Sequence, residues 1–160
     1  MEATVKTEDP TLVGDGQGAA SAEADTLLRE ALEANGQRFT EQRAAVYRYL
    51  GGTATHPSAD DVFTSVRATI PDISLATVYK ALEALVGCGL AQKLTYGDGS
   101  ARYDGRTDPH HHARCLTCGR VLDVPGRLDP TTLEHLGDVD GFAVEGYRLE
   151  LVGYCGRCGA

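Results

Sequence analysis

Four cysteines arranged as two C-x2-C pairs carry the clearest chemical signal in this sequence of 160 residues. Cys115 and Cys118 form the first pair, and Cys155 and Cys158 form the second, with 36 residues between the pairs. Two cysteines three positions apart can place both sulfurs on one ion, and two such pairs complete a tetrahedron of thiolates. Because four soft, charged ligands leave no position open for water or a substrate, the pattern predicts a structural zinc ion.

Two disulfides are the alternative use of these cysteines. Disulfides persist in oxidising compartments, and the N-terminus does not resemble a secretory signal, so we expect a cytoplasmic protein and favour zinc. The fifth cysteine, Cys88, lies in a G-C-G sequence. It is predicted to be a small buried side chain, with a redox thiol as the alternative.

Histidines and carboxylates around the first cysteine pair indicate a second metal site. If residues 110–114 form a strand, His110 and His112 point to the same face. Asp104 and Asp123 are carboxylates that could join them, and His56, which precedes a predicted helix, could complete the site from the N-terminal half. Three nitrogens and two carboxylates suit Fe²⁺, Mn²⁺ or Zn²⁺. From the residues alone, a solvated loop histidine remains the alternative for His56.

Four helical patterns and a hairpin must position the N-terminal part of this site. The helices are predicted over residues 22–35, 40–50, 58–70 and 74–87, with Thr40, Ser58 and Ser74 at their starts and glycines or Pro71 at their ends. The first helix is expected to bury Leu27, Leu28 and Leu32. Alternating segments at 90–96 and 101–104 flank a G-D-G-S turn and predict a β-hairpin.

Three helices followed by a hairpin are the order of a winged helix, whose last helix enters the major groove of DNA. Thr77, Tyr79 and Lys80 on that helix are candidates for the groove. Arg43 is a candidate for contacts to phosphates, together with Arg38, Arg48, Lys93, Arg102 and Arg106. The alternative is that these are solvated faces of a small helical domain.

The C-terminal half changes to strand patterns. Strands are predicted over 110–115, 120–124, 142–145 and 148–154, and one helix over 129–137. The fold is therefore expected to be α+β, with an acidic disordered tail at 1–21, a winged-helix domain at 22–105 and a dimerisation and metal-binding domain at 106–160. A small sheet with an edge strand pairs readily with its own copy, so we expect a homodimer.

Net charge decides little about the partner. The formal charge is −8, which argues against nucleic acid, but acidic residues are concentrated in the first 26 positions. No apolar run approaches the ~20 residues that a membrane-spanning helix needs.

Several segments together resemble the ferric uptake regulator superfamily, and most closely its peroxide-sensing branch. They are H-P-S-A-D-D-V-F, S-L-A-T-V-Y-K-A-L, L-T-Y-G-D-G-S-A-R-Y-D, H-H-H-A-R-C-L-T-C-G-R-V-L-D and Y-C-G-R-C, and the resemblance covers about residues 24–159. It implies a homodimeric winged-helix repressor of a double-stranded DNA operator, with zinc on the four cysteines. It also implies a regulatory Fe²⁺ or Mn²⁺ on residues matching His56, Asp104, His110, His112 and Asp123, with the residues matching His56 and His110 sensitive to oxidation by peroxide.

Position 123 distinguishes branches of this superfamily. The peroxide-sensing branch resembles this chain in having aspartate there, whereas iron-responsive members usually carry glutamate. Zinc-uptake regulators usually have a cysteine shortly before the H-x-H, where this chain has G-R-T-D at 105–108. A peroxide-responsive repressor is therefore predicted, with an iron-responsive repressor of iron uptake as the second interpretation.

A zinc hydrolase that uses the histidine and aspartate site with an open position for water is an alternative from another class. The sequence contains no H-E-x-x-H or comparable arrangement. We therefore expect a protein that is not an enzyme.

Overall fold

A computed structural model describes residues 16–96, 99–126, 141–142 and 149–159. Its helices are α1 (Gly16–Ala34), α2 (Glu41–Gly51), α3 (Ala59–Val66) and α4 (Leu75–Gly87). Its strands are β1 (Gln92–Leu94), β2 (Arg102–Asp104), β3 (His111–Cys115), β4 (Val121–Val124) and β5 (Glu150–Gly153). The fold is α+β, as predicted. No helix among the described residues has the length and apolar character needed to cross a membrane.

The strands form two small sheets. β1 and β2 pair antiparallel as the predicted hairpin. The second sheet has the order β4-β3-β5, in which β3 is antiparallel to β4 and parallel to β5. This places the loop of the first cysteine pair, between β3 and β4, beside the end of β5, which leads to the second pair.

Side-chain caps explain where three helices begin. Thr40, Ser58 and Ser74 each accept a hydrogen bond from the backbone N–H three residues later, as the sequence predicts. Ser58 and Asp61 also form a reciprocal capping box. α2, α3 and α4 pack together and carry the hairpin β1–β2 as the wing.

The helix boundaries differ from the predictions at two places. α1 begins at Gly16 rather than at residue 22, so the last six residues of the predicted disordered tail are helical. Alanines at positions 19, 20, 22 and 24 favour this extension, because alanine has the highest helix propensity. α3 ends at Val66 rather than near Pro71, because turns that return to the carbonyl of Val66 follow it.

Leu27 was predicted to be buried, and this prediction is wrong. Leu27 is 58% exposed, whereas Leu28 and Leu32 are fully buried. Of the other helices, α1 packs mainly against α2. The narrow apolar stripe formed by Leu28 and Leu32, at spacing i, i+4, is sufficient for this contact, and Leu27 lies outside it.

The described hydrophobic core lies within residues 28–103, and Tyr103 of β2 is its largest fully buried side chain. Asp104 follows Tyr103 directly and points to the other face of the strand. The wing therefore carries a core residue and a site residue side by side. The predicted helix at 129–137, the segment 143–145, residues 1–15 and the tip of the hairpin turn lie outside the described residues.

Candidate metal sites and nucleic-acid interface

The four cysteines of the two C-x2-C pairs come together. Their four Sγ atoms all lie within 4.8 Å of one another, and those of Cys118 and Cys155 are 3.7 Å apart. Ligands about 2.3 Å from a tetrahedral zinc ion are separated by roughly 3.8 Å, which this distance matches. All five cysteines are free thiols, and a sulfur pair at 3.7 Å is too distant for the disulfide alternative.

The thiols of this cluster ionise unequally. The backbone N–H of Cys155 donates to the sulfur of Cys115 at 3.4 Å, and this hydrogen bond and that from Cys118 lower the pKa of Cys115 to about 6. The neighbouring sulfurs of Cys118 and Cys155 raise the pKa of Cys158 to about 12. Four thiolates can therefore coexist at this spacing only with a cation among them, which is the donor set that zinc prefers.

The five histidines and aspartates of the second predicted site also come together, with one ligand atom of each within 4.8 Å of the others. The Nε2 atoms of His56, His110 and His112 lie 3.0–3.5 Å from Oδ2 of Asp104. The same nitrogens lie 2.8–3.7 Å from Oδ1 of Asp123. Ligand atoms about 2.1 Å from one ion and at right angles to each other are roughly 3.0 Å apart, so the cluster has the size of a single ion's coordination shell.

Three histidine nitrogens of this cluster are buried without a hydrogen-bond partner, namely Nδ1 and Nε2 of His56 and Nε2 of His110. Nε2 of His56 is 2.8 Å from an oxygen of Asp123, and Nε2 of His110 is 3.0 Å from an oxygen of Asp104, yet neither contact has hydrogen-bond geometry. Short distances without that geometry indicate that the atoms face a common point rather than one another. Because an unsatisfied buried polar atom costs about 1–3 kcal/mol, these residues fit a cation at that point.

The sheet and its neighbouring loop position the C-terminal ligands. His112 on β3 lies directly opposite Asp123 on β4. His110 precedes β3, and its Nδ1 donates to the carbonyl oxygen of Asp108 at 2.7 Å. Since a carbonyl can only accept, the proton is on Nδ1 and the Nε2 lone pair is free for the ion.

His56 reaches the cluster from the other half of the chain. It is 2% exposed, and its φ of +46° makes it the one non-glycine with positive φ among the described residues. Such a conformation costs of order 1–3 kcal/mol and is found at functional sites. The hydrogen bond from the Tyr103 N–H to the Pro57 carbonyl (2.9 Å) and the bridge between Ser58 and Arg102 hold this segment beside β2.

The electrostatic environment shifts the pKa values of His56 and His112 in opposite directions. Burial lowers the pKa of His56, but the carboxylates of Asp104 and Asp123 outweigh it, and the pKa is raised above its usual value. Burial, together with His110 and His56 nearby, lowers the pKa of His112. Burial opposes ionisation of Asp104, yet the nearby imidazole of His56 and the hydrogen bond from the Arg106 N–H bring its pKa down to about 2.

The candidate DNA-contacting residues are presented unequally. On α4, Tyr79 is 44% exposed and Lys80 is exposed, whereas Thr77 is half-buried with its hydroxyl 2.8 Å from Ser74 Oγ. Arg43 donates to the Arg38 carbonyl and to Gln37. Among the other predicted phosphate contacts, Arg48, Lys93, Arg102 and Arg106 are paired with acids.

Arg106 has a role that the sequence did not suggest. Its guanidinium contacts Asp108 and Asp123, and its backbone N–H donates to Asp104. The flanking pattern D-x-R-x-D at 104–108 is the sequence signal that was available. Because its guanidinium contacts two carboxylates at the candidate metal site, Arg106 is better explained as a partner of those carboxylates than as a contact to DNA phosphates.

A winged helix is joined to a small sheet that carries the cysteine cluster, and the histidine–aspartate cluster lies between the two. This arrangement defines a DNA-binding type of fold with candidate metal sites. Comparison with known proteins makes this specific. The family described as the Ferric uptake regulator family matches residues 34–152. The chain belongs to this family, whose members are transcriptional regulators, as the sequence motifs implied.

Individual relatives agree with this assignment. The "Peroxide operon regulator" of Bacillus subtilis (strain 168) is 43% identical over 137 residues, covering 82% of this chain and 92% of the relative. The Campylobacter jejuni peroxide stress regulator is 28% identical with a TM-score of 0.56, covering 83% of this chain and 96% of the other. The Helicobacter pylori ferric uptake regulator Fur matches in fold, with a TM-score of 0.70 at 21% identity over 86% of this chain and 93% of the other. These relatives are named as regulators, which supports the prediction that the chain is not an enzyme.

Proposed function

We propose that this chain is a metal-dependent repressor that releases its DNA operator in response to peroxide. The four cysteines would hold a structural zinc ion, and His56, Asp104, His110, His112 and Asp123 would hold Fe²⁺ or Mn²⁺. The observation that carries the proposal is the convergence of three imidazoles and two carboxylates on a space the size of one ion. Nε2 of His56 and Nε2 of His110 are buried there without a hydrogen-bond partner. Asp123 and the similarity to the Bacillus subtilis regulator support peroxide as the signal.

The proposed switch depends on where the ligands come from. His56 and Asp104 belong to the winged helix and wing, whereas His110, His112 and Asp123 belong to the sheet half and the segment before it. A complete cluster would fix the orientation of one half against the other, around a hinge near residues 105–106. In a dimer, that orientation decides whether two α4 helices match two half-sites of an operator.

A homodimer built on the sheet half is supported by an exposed strand. β5 lies at the end of the described sheet order β4-β3-β5, and Leu151 and Val152 on it are 39% and 55% exposed. An apolar edge strand is suited to pairing with a second copy.

Peroxide sensing would use two of the same histidines. The chemistry that bound Fe²⁺ would supply is the activation of hydrogen peroxide. One oxygen atom of the peroxide would be inserted into a ring C–H bond of one imidazole, at His56 or His110, and the other would leave as water, so that the ring loses the two electrons that the peroxide gains. The modified ring would no longer serve as a ligand. With one ligand lost, the cluster would no longer fix the orientation of the winged helix against the sheet half.

DNA binding tests the metal switch. A duplex selected from a random pool by the Mn²⁺-loaded protein should shift in a gel with Mn²⁺ and not after its removal. His56→Ala and Asp123→Ala should abolish the Mn²⁺ dependence, whereas His111→Ala, on the opposite face of β3, should retain it. Unchanged and metal-indifferent binding in His56→Ala would contradict the switch.

Mass spectrometry tests the signal. The Fe²⁺-loaded protein treated with hydrogen peroxide should gain the mass of one oxygen atom on the peptide that contains His56 or His110, and the Mn²⁺-loaded protein should not. Metal-dependent DNA binding without this gain would favour the second candidate, an iron-responsive repressor that does not sense peroxide.

A further inference from the structure

We propose that Arg106 is a positioning residue that restricts each of the two carboxylates of the histidine–aspartate cluster to one inward-facing oxygen. This inference rests on the proposed function, because it concerns the residues that would hold the regulatory ion. It assigns a role to a residue that none of the ligand motifs includes.

At Asp104, the restriction comes from the main chain. The backbone N–H of Arg106 donates to Oδ1 of Asp104 at 2.7 Å. The other oxygen, Oδ2, is the one that lies 3.0–3.5 Å from all three histidine nitrogens. One oxygen is thereby occupied outside the cluster and the other is left for the ion.

At Asp123, the same division is made by the side chain. Nη1 of Arg106 lies 3.4 Å from Oδ2, whereas Oδ1 is the atom that faces the histidines. Asp123 is the most exposed ligand, with 34% of its side chain accessible. Without this contact the carboxylate could rotate or offer both oxygens to the ion.

The guanidinium of Arg106 is itself held in place. Its Nε and Nη2 donate to the two carboxylate oxygens of Asp108 at 2.7 and 2.6 Å. The backbone carbonyl of Asp108 accepts the hydrogen bond from His110 Nδ1. The segment 104–110 therefore orients three of the five ligands, and the charge of Arg106 is largely compensated by Asp108.

If Arg106 positions the carboxylates, its removal should weaken metal binding, whereas if it acts only through its positive charge, its removal should strengthen metal binding. Loss of a cation near a cation site should strengthen metal binding. Loss of an outer partner of a metal ligand typically weakens it by about 10–100-fold. The sign of the change therefore identifies which effect is dominant.

The experiment uses the full chain with its zinc site filled and measures Mn²⁺ affinity by calorimetry. Arg106→Gln keeps the backbone N–H that donates to Asp104 but removes the guanidinium that contacts Asp108 and Asp123. Arg106→Lys keeps the positive charge but not the several donors of the guanidinium. Both variants are expected to bind Mn²⁺ at least about 10-fold more weakly. Both should also change the visible absorption spectrum of bound Co²⁺, which reports the ligand arrangement. Arg67→Gln, an exposed arginine at the end of α3, is the control for lost charge and should change neither.

Three results would overturn the inference. Tighter Mn²⁺ binding by Arg106→Gln with unchanged binding by Arg106→Lys would assign Arg106 a charge effect only. Unchanged binding by both would remove any role. Weaker binding with a wild-type Co²⁺ spectrum and a lowered unfolding temperature would make the role structural. Failure of the wild-type chain to bind Mn²⁺ would instead contradict the proposed function.

Discussion

Gly105 lies between two residues that shape the histidine–aspartate cluster, and it passes unusually close to α2. A Cβ atom at this position would lie 2.7 Å from the backbone oxygen of Leu50 and 2.9 Å from its carbonyl carbon. Both atoms are backbone, so neither can rotate away. The absence of a side chain therefore allows the chain to turn against the end of α2 and place Asp104 and Arg106 on the cluster.

Gly105→Ala should destabilise the protein by about 1–3 kcal/mol, the usual cost of forcing an extra carbon into a packed site. Because the clash displaces residues 104–106, Mn²⁺ affinity should fall as well. Thermal unfolding and calorimetry measure the two effects. Gly87→Ala is the matched control, since a Cβ there meets nothing within 4 Å; equal behaviour of the two variants would show that the close approach is relieved without consequence.

At the scale of elements, α3 connects helix capping to the metal cluster. Its N-cap, Ser58, is two residues from His56, and Asp61 accepts hydrogen bonds from both the N–H and the hydroxyl of Ser58 at 2.9 and 2.8 Å. The same carboxylate lies 3.4 Å from Arg102 of β2. The start of α3 thus holds the segment that carries His56 against the wing.

Asp61→Asn should lower the free energy of unfolding by at most about 1 kcal/mol, because the cap is half exposed. The N–H of Ser58 is the main cause of a pKa of Asp61 below 3.8. A depressed folded-state pKa contributes stability above the unfolded-state value and loses it as the pH falls through the folded-state value. The deficit should therefore be full near neutral pH and vanish in acid.

Urea unfolding at several pH values measures this dependence. Ser74→Ala removes the cap of α4, whose N-cap contacts involve no carboxylate, and its deficit should not depend on pH from neutrality to below pH 3.8. A deficit of Asp61→Asn that persists unchanged across the same range would show that its ionisation plays no part.

The sequence predicted the elements well where local rules decide them. The caps at Thr40, Ser58 and Ser74 and the wing strands follow from residues close in the chain. The ligand types of both clusters were predicted because metal chemistry restricts them. The strained backbone of His56 and the contacts of Arg106 could not be predicted, since they depend on how β2, α3 and β4 pack.

At the scale of the whole molecule, the two halves are stabilised differently. The core cluster of the described residues lies within 28–103. Among the described residues of the C-terminal half, those buried as whole residues are His112, Cys115, Val121 and Cys155, and the side chain of His110 is buried as well. These described residues provide little apolar burial to hold the sheet, so we expect the cysteine cluster to contribute much of its stability.

Removal of zinc by a strong chelator should unfold the sheet half first. A structural zinc site is worth about 10–16 kcal/mol in apparent binding free energy, whereas α1–α4 retain their own core. Amide hydrogen exchange should show loss of protection in β3 and β5 with helices α2–α4 still protected. Simultaneous loss in both halves would indicate that the winged helix also depends on the zinc site.

Metal and operator must assist each other equally if the cluster controls the orientation of the winged helix. Linkage requires that the factor by which Mn²⁺ strengthens DNA binding equals the factor by which DNA strengthens Mn²⁺ binding, and such factors are typically about 5–150. Calorimetry of Mn²⁺ into the free and the duplex-bound protein gives one factor, and gel shifts with and without Mn²⁺ give the other. A duplex of scrambled sequence is the control and should show a smaller factor.

His56→Ala separates coupling from metal binding itself. Four ligands remain, so the variant should still bind Mn²⁺, although more weakly. Both factors should fall to one, because the remaining contact of the winged helix with the cluster, Asp104 at the end of β2, lies beside the proposed hinge. A variant that keeps both factors would show that Asp104 alone transmits the signal. Because His56 is the ligand that α3 and its cap hold in place, the loss of coupling would identify the segment before α3 as the connection between ion and operator.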